Sequence, residues 1–130
     1  MDRAVIADGI RRHFESRRSD VVAVYLFGSV ARSQAGPASD VDVAVLLAAD
    51  PRPDLDGLLL EEEAELEKTL RVPVQLVVLN TAPCDLVHRV LRDGLLLLDR
   101  NSSARVQFEV RARNEFFDLQ PVLDAYRKGR

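Results

Sequence analysis

Leu26 to Leu47 reads LFGSVARSQAGPASDVDVAVLL, and this stretch decides the architecture. It begins at the end of a β-branched and aromatic run, Val21 to Phe27, whose unbroken apolar character is that of a buried strand. Gly28 stops the run, and a residue without Cβ lets another group approach the backbone closely. Ser29 to Ser39 is rich in serine, glycine and proline, which is the composition of a turn, with room for one helical turn at its start. Asp40 to Leu47 alternates acid with apolar residue and then becomes wholly apolar, so it reads as a second strand. A connection this short makes the two strands antiparallel neighbours. The second strand therefore begins close to where the first ends.

That proximity carries chemistry. If Ser29 to Arg32 form a helical turn, their N–H groups and the dipole face outward as an anion site, with Arg32 adding charge. Asp40 and Asp42 stand two apart, so both carboxylates would project from one face of a strand. Set among Val41, Val43, Ala44 and Val45, they repel one another, and a cation relieves that cost. Mg²⁺ is the cation of choice, since it takes one or two carboxylates together with phosphate oxygens. An anion turn beside a metal-binding acid pair is the equipment of phosphoryl transfer. The bland alternative is a polar turn with a capping aspartate, and a double acid on an otherwise apolar strand counts against it.

Outward from this centre the elements alternate. Val5 to Phe14 has the spacing of an amphipathic helix, closed by the arginine-rich break at Arg17 to Asp20. After the loop at Asp50-Pro51-Arg52-Pro53, Asp54 is a candidate N-cap for a helix through Leu70, striped by Leu55, Leu59, Leu66 and Leu70. Glu61, Glu62, Glu63, Glu65 and Glu67 on that helix read as its solvated face. Pro73 to Leu79 is a third strand, a helix follows Pro83 and closes at Gly94, and Leu95 to Leu98 is a short fourth strand or an extended piece. The last thirty residues are helical, with Pro121 expected to kink or divide them. The chain reads as one α/β domain over 1–130: a small mixed sheet flanked by helices, with a long C-terminal helical segment.

Gly28-Ser29, ten residues, then Asp40-Val41-Asp42 resembles the GSx₁₀DxD signature of the DNA polymerase β-like nucleotidyltransferases. Within that superfamily the chain is similar to the minimal nucleotidyltransferases of the MntA type, antitoxins paired with HEPN-domain ribonuclease toxins. The likeness extends through VPVQLVVLNTAP and the tail RARNEFFDLQPVLDAYRK. It implies that Gly28 and Ser29 hold nucleotide phosphates, with Arg32 a further candidate for the phosphate or for a structural salt bridge, and that Asp40 and Asp42 ligate Mg²⁺. It also implies transfer of AMP from ATP to a hydroxyl, a tyrosine in that family, of a HEPN toxin, which neutralises the toxin.

One position departs from the pattern. Superfamily members place a third carboxylate on the strand after the long helix, and the residue aligned with it here is Gln75, which cannot accept a proton as a base. Three explanations stay open: two acids suffice, because metal and positioning supply most of the help in phosphoryl transfer; another acid such as Asp85 or Asp99 serves; or transfer is slow or absent. The alternative function is therefore a non-catalytic module that neutralises its toxin by complex formation. Phe116, Leu123 and Tyr126 on the last helix are candidate docking residues in either case, while Phe117 and Leu119 are expected to pack on the chain's own sheet. A chain this short leaves no second domain to bind an acceptor, so a partner must present it. Drug adenylylation is a further enzymatic reading that would need more chain or a dimer.

Bulk properties set outer limits. The 130 residues are 47% hydrophobic and 30% charged, ordinary for one globular domain able to bury a core. A net charge of −3 supplies no basic field for stable DNA binding. No apolar run approaches the ~20 residues that span a bilayer, and a cytoplasmic location is expected. The single cysteine, Cys84, excludes an internal disulfide and reads as buried filler. His13 and His88 are too scattered for a zinc site and read as structural or solvent-facing. Self-association or a mixed assembly with the toxin stays open.

Overall fold

The computed structural model describes residues 2–34, 36, 39–52 and 59–128, without the side chains of residues 123 and 128. Helix α1 (Arg3–Glu15) is capped by Asp2, whose carboxylate accepts the Ala4 amide at 2.9 Å. Ile6, Ile10 and Phe14 form its buried stripe, whereas Val5 stays 64% exposed. Strand β1 (Val21–Phe27) follows, then a single helical turn, α2 (Gly28–Ala31), and strand β2 (Val41–Leu47). Helix α3 (Leu60–Leu70) leads to β3 (Val74–Val78), and a 3₁₀ turn at Leu79–Thr81 leads into α4 (Cys84–Asp93). Strand β4 (Leu95–Asp99) and the long helix α5 (Ser102–Lys128) complete the chain.

The four strands form one mixed sheet in the order β3-β2-β1-β4. β1 pairs antiparallel with both β2 and β4, and β2 pairs parallel with β3 through the α3 crossover. Central β1 and β2 are buried on both faces, which explains their nearly continuous apolar runs. One face carries Val24, Leu26, Val41, Val43 and Val45 against α1 and α3. The other carries Ala23, Tyr25, Ala44 and Leu46 against α4 and the Ala104, Phe108, Ala112 stripe of α5. Each fully buried side chain of this kind contributes roughly 1.5–3 kcal/mol. Asn80 closes the far end of the sheet, accepting the Leu47 amide at 2.8 Å and donating to its carbonyl at 2.9 Å.

Several expectations are corrected. The expected N-cap Asp54 and stripe residue Leu55 lie outside the described residues. The described helix starts at Leu60, after buried Leu59 in the left-handed conformation (φ 57°). The glutamate run is not simply a solvated face. Glu62 is 2% exposed and is held by Arg17 Nε at 2.7 Å and His13 Nε2 at 3.0 Å. Glu63 and Glu67 accept the Leu76 and Val74 amides, each at 3.0 Å. Those amides belong to the outer edge of β3, so two carboxylates satisfy donors that a neighbouring strand would otherwise take.

Pro121 does not divide α5, which continues from Ser102 to Lys128. The carbonyl that loses its amide partner belongs to Phe117, which is 64% exposed, where water can replace the bond. Phe117 and Leu119 (42% exposed) do not pack on the sheet. The side of the helix that packs against the second core cluster carries Ala104, Phe108 and Ala112, with Phe116 stacked on His88. Cys84 is half-buried beside a groove rather than buried in the core.

Candidate functional site

The strand ends converge at one edge of the sheet. β1 ends at Phe27, β2 begins beside it, and β3 begins beside β2, so that Phe27, Asp42 and Gln75 are register partners across three strands. Direct partners point to the same face of a sheet. On that face α4 returns antiparallel to β3 and brings its last two turns over the strand ends. The result is a cleft of about 480 Å³. Its lining includes Gly28, Ser29 and Arg32 from the α2 turn, Asp42 and Gln75 from the sheet, and Arg89 with Arg92 from α4.

Gly28 fixes the turn. Its φ is +76°, a conformation that L side chains rarely adopt, and a Cβ there would overlap the Asp42 carboxylate, lying 3.1 Å from Cγ. The chain thus places the α2 turn directly against the acid. Gln34 N–H returns to Ser29 O at 2.8 Å and Arg3 Nη1 donates to Ala31 O at 3.0 Å, holding both ends of the turn. The hydroxyl of Ser29 makes no hydrogen bond among the described residues. α2 is one helical turn with unshared first amides, as such turns are.

Asp42 is half-buried and accepts no hydrogen bond among the described residues. Burial pushes its carboxyl above the ordinary carboxylate range, the charge of Asp40 adds to this, and Arg32 partly offsets it. Asp40 itself is exposed, one residue before β2 rather than within it, yet close enough for that effect. The pair is only partly offset by Arg32, and two neighbouring carboxylates of this kind are a donor set that a cation would relieve. An all-oxygen set of two carboxylates and the Gln75 amide suits Mg²⁺, with water and phosphate completing the shell. No group of three His, Cys, Asp or Glu side chains able to hold a metal occurs among the described residues.

Gln75 is exposed and sits beside Asp42 in register. The other acids considered are elsewhere. Asp85 opens α4 and accepts the Leu86 amide. Asp99 pairs with Ala23 on β1, well away from the Phe27 end, and binds Ser102 and Arg105. Arg32 forms no ion pair among the described residues and gives its Nε to Gln34 at 3.2 Å.

The α4 arginines were not foreseen. Arg92 is engaged by Asp93 at 3.0 and 2.8 Å, whereas Arg89 has no partner among the described residues. A Leu86, Arg89, Asp93 spacing of three and four residues, all on one helix face, is the signal that could have found them. Of the docking candidates, Phe116 stacks on His88 with centroids 3.6 Å apart, so it is committed within the domain. Tyr126 is 62% exposed, and the Leu123 side chain lies outside the described residues. No described helix is long and apolar enough to cross a membrane.

The family model for polymerase beta nucleotidyltransferases matches residues 10–103. No curated protein sequence matches the chain. A chain of a toxin–antitoxin crystallised with AMP-PNP is similar, at 25% identity and TM-score 0.81, covering 95% of this chain and 96% of that one. A mutant MntA–HpeT toxin–antitoxin chain gives 25% identity and TM-score 0.75, covering 94% and 95%. The tri-AMPylated Shewanella oneidensis HEPN toxin in complex with MNT antitoxin gives 23% identity and TM-score 0.77, covering 98% of both chains, a likeness of fold.

Proposed function

From the premise that the chain belongs to the polymerase β nucleotidyltransferase family, we propose that it is an antitoxin that transfers AMP from Mg²⁺-bound ATP to a HEPN ribonuclease toxin. The contact between Gly28 and Asp42 carries this reading, because it sets an anion-binding turn against an unsatisfied carboxylate inside one cleft. The similar toxin–antitoxin structures, one with AMP-PNP and one with a tri-AMPylated toxin, support it.

In this mechanism the α2 amides, the Ser29 hydroxyl and Arg32 hold the triphosphate in line. Asp40 and Asp42 would hold the metal, with Gln75 as a neutral oxygen donor. The metal supplies neutralisation of the phosphate charge. The acceptor oxygen bonds to the α-phosphorus, the bond to the β-phosphate bridging oxygen breaks, and pyrophosphate leaves with that electron pair. Among the described residues, the strand position beside Asp42 holds the neutral Gln75 amide and no base. A tyrosine hydroxyl, with an ordinary pKa near ~10, gives up its proton far more readily than an aliphatic alcohol, and this favours a phenolic acceptor.

A specific observation favours a second reading. Gln75 is neutral beside Asp42, which fits a module that holds its toxin without modifying it. The deciding experiment mixes the chain with its partner toxin, ATP and Mg²⁺ and records the toxin's intact mass. Gains in AMP units that disappear with Asp40→Ala establish the transferase. A stable, silenced complex with unchanged toxin mass refutes transfer and leaves the binding module.

A further inference from the structure

We propose that Arg89 grips the β- and γ-phosphates of the bound nucleotide, and then the departing pyrophosphate, from the cleft wall opposite Ser29 and Arg32. The inference rests on the nucleotidyl-transfer reading above. The cleft is lined by three guanidinium groups, Arg32, Arg89 and Arg92, and two carboxylates, Asp42 and Asp93. Arg92 is committed to Asp93 through two bonds on the helix's own surface, at 3.0 and 2.8 Å. Asp42, with Asp40 beside it, is the cation site. Two guanidinium groups are left over, Arg32 on the turn and Arg89 on α4, and neither is ion-paired among the described residues. They line one cleft from different elements, an arrangement that awaits a polyanion reaching from wall to wall.

A solvated arginine near a helix C-terminus is the ordinary alternative, since the dipole there attracts cations. It explains Arg92 better than Arg89, which stands a full turn inside α4 with its face turned to the cleft between Leu86 and Asp93. Both acids of the helix that stand four residues from Arg89 are engaged elsewhere: Asp85 caps the Leu86 amide, and Asp93 is bonded to Arg92. Guanidinium forks match phosphate oxygens in pairs, so one such group discriminates strongly between a nucleotide with a pyrophosphoryl tail and one without it.

The test measures binding of ATP, pyrophosphate and AMP, each with Mg²⁺, to the full chain by calorimetry, for wild type, Arg89→Ala and Arg89→Lys. The expected result is that Arg89→Ala weakens ATP and pyrophosphate at least about tenfold and AMP less than about twofold, while Arg89→Lys recovers part of the loss. Thermal melting confirms that the exposed substitutions leave the fold intact. Equal losses for ATP and AMP, or unchanged ATP binding, overturn the role of Arg89 alone. A wild-type chain that binds neither ATP nor pyrophosphate overturns the nucleotidyl-transfer reading beneath it.

Discussion

Gly28 and Asp42 occupy each other's space so closely that no side chain fits between them: a Cβ on Gly28 would lie 3.3 Å from the Asp42 Cβ and overlap its carboxylate. The strand-ending glycine thereby sets the distance between the α2 turn and the acid, the two parts that the proposed function assigns to phosphate and metal. Gly28→Ala meets both this overlap and the strained φ of +76°. It should cost about 2 kcal/mol of stability and abolish Mg²⁺-ATP binding. Urea denaturation and nucleotide titration check the two parts; wild-type affinity in the variant would dissociate the turn from the site.

Asp42→Asn should stabilise the metal-free chain while disabling it. The carboxyl of Asp42 is raised by burial and by Asp40, so its contribution to stability is fullest below its unfolded value and is lost as pH rises through its folded value. At pH 7 the ionised group is therefore a net cost to the apo-protein. Thermal melting without metal at pH 7 should rise by about 2 °C, the advantage should vanish near pH 3, and Mg²⁺ should no longer raise the midpoint. An unchanged or lower apo midpoint at pH 7 contradicts the electrostatics.

Gln75→Glu should accelerate transfer. The substitution places a third carboxylate in register with Asp42, and a positioned general base typically contributes at least ~10²-fold. Even partial geometry should raise kcat about tenfold, read from single-turnover AMP transfer to the toxin, while Gln75→Ala should lower it less than about threefold. A silent Gln75→Glu would mean that proton removal does not limit the reaction.

Glu62→Ala should be the most damaging change away from the cleft. Its side chain is buried between His13 and the Arg17 guanidinium and ties α3 to α1. Removing one partner of a buried pair costs about 3 kcal/mol, measured by urea unfolding, and Glu62→Gln should lose less because the amide oxygen can still accept a bond.

What sequence made legible follows from how local each signal is. β1 was read to the residue because an apolar run ended by glycine carries its own boundaries. Gln75 was singled out only through the family pattern that puts a carboxylate on the strand after the long helix, and the sheet sets it in register beside Asp42. The burial of Glu62 was not legible, since its partners lie 49 and 45 residues away on the chain. Arg89 could not be told from a solvated arginine until α4 was seen to cover the strand ends. Phe117 was expected inside and is 64% exposed, because α5 is apolar on more than one side and the sheet covers only one of them. Gln75 is the place where family pattern and residue chemistry disagree, and the sheet register makes that disagreement a property of the site itself.

The carboxylates of Glu63 and Glu67 on the Leu76 and Val74 amides have a consequence for how other molecules can reach this protein. They flank Gln75 along the free border of the sheet, so a visitor cannot dock there by lengthening the ladder. Under the proposed transfer, an acceptor chain finds the Val74 and Leu76 amides already taken and reaches the cleft between sheet and α4 without pairing its backbone to them.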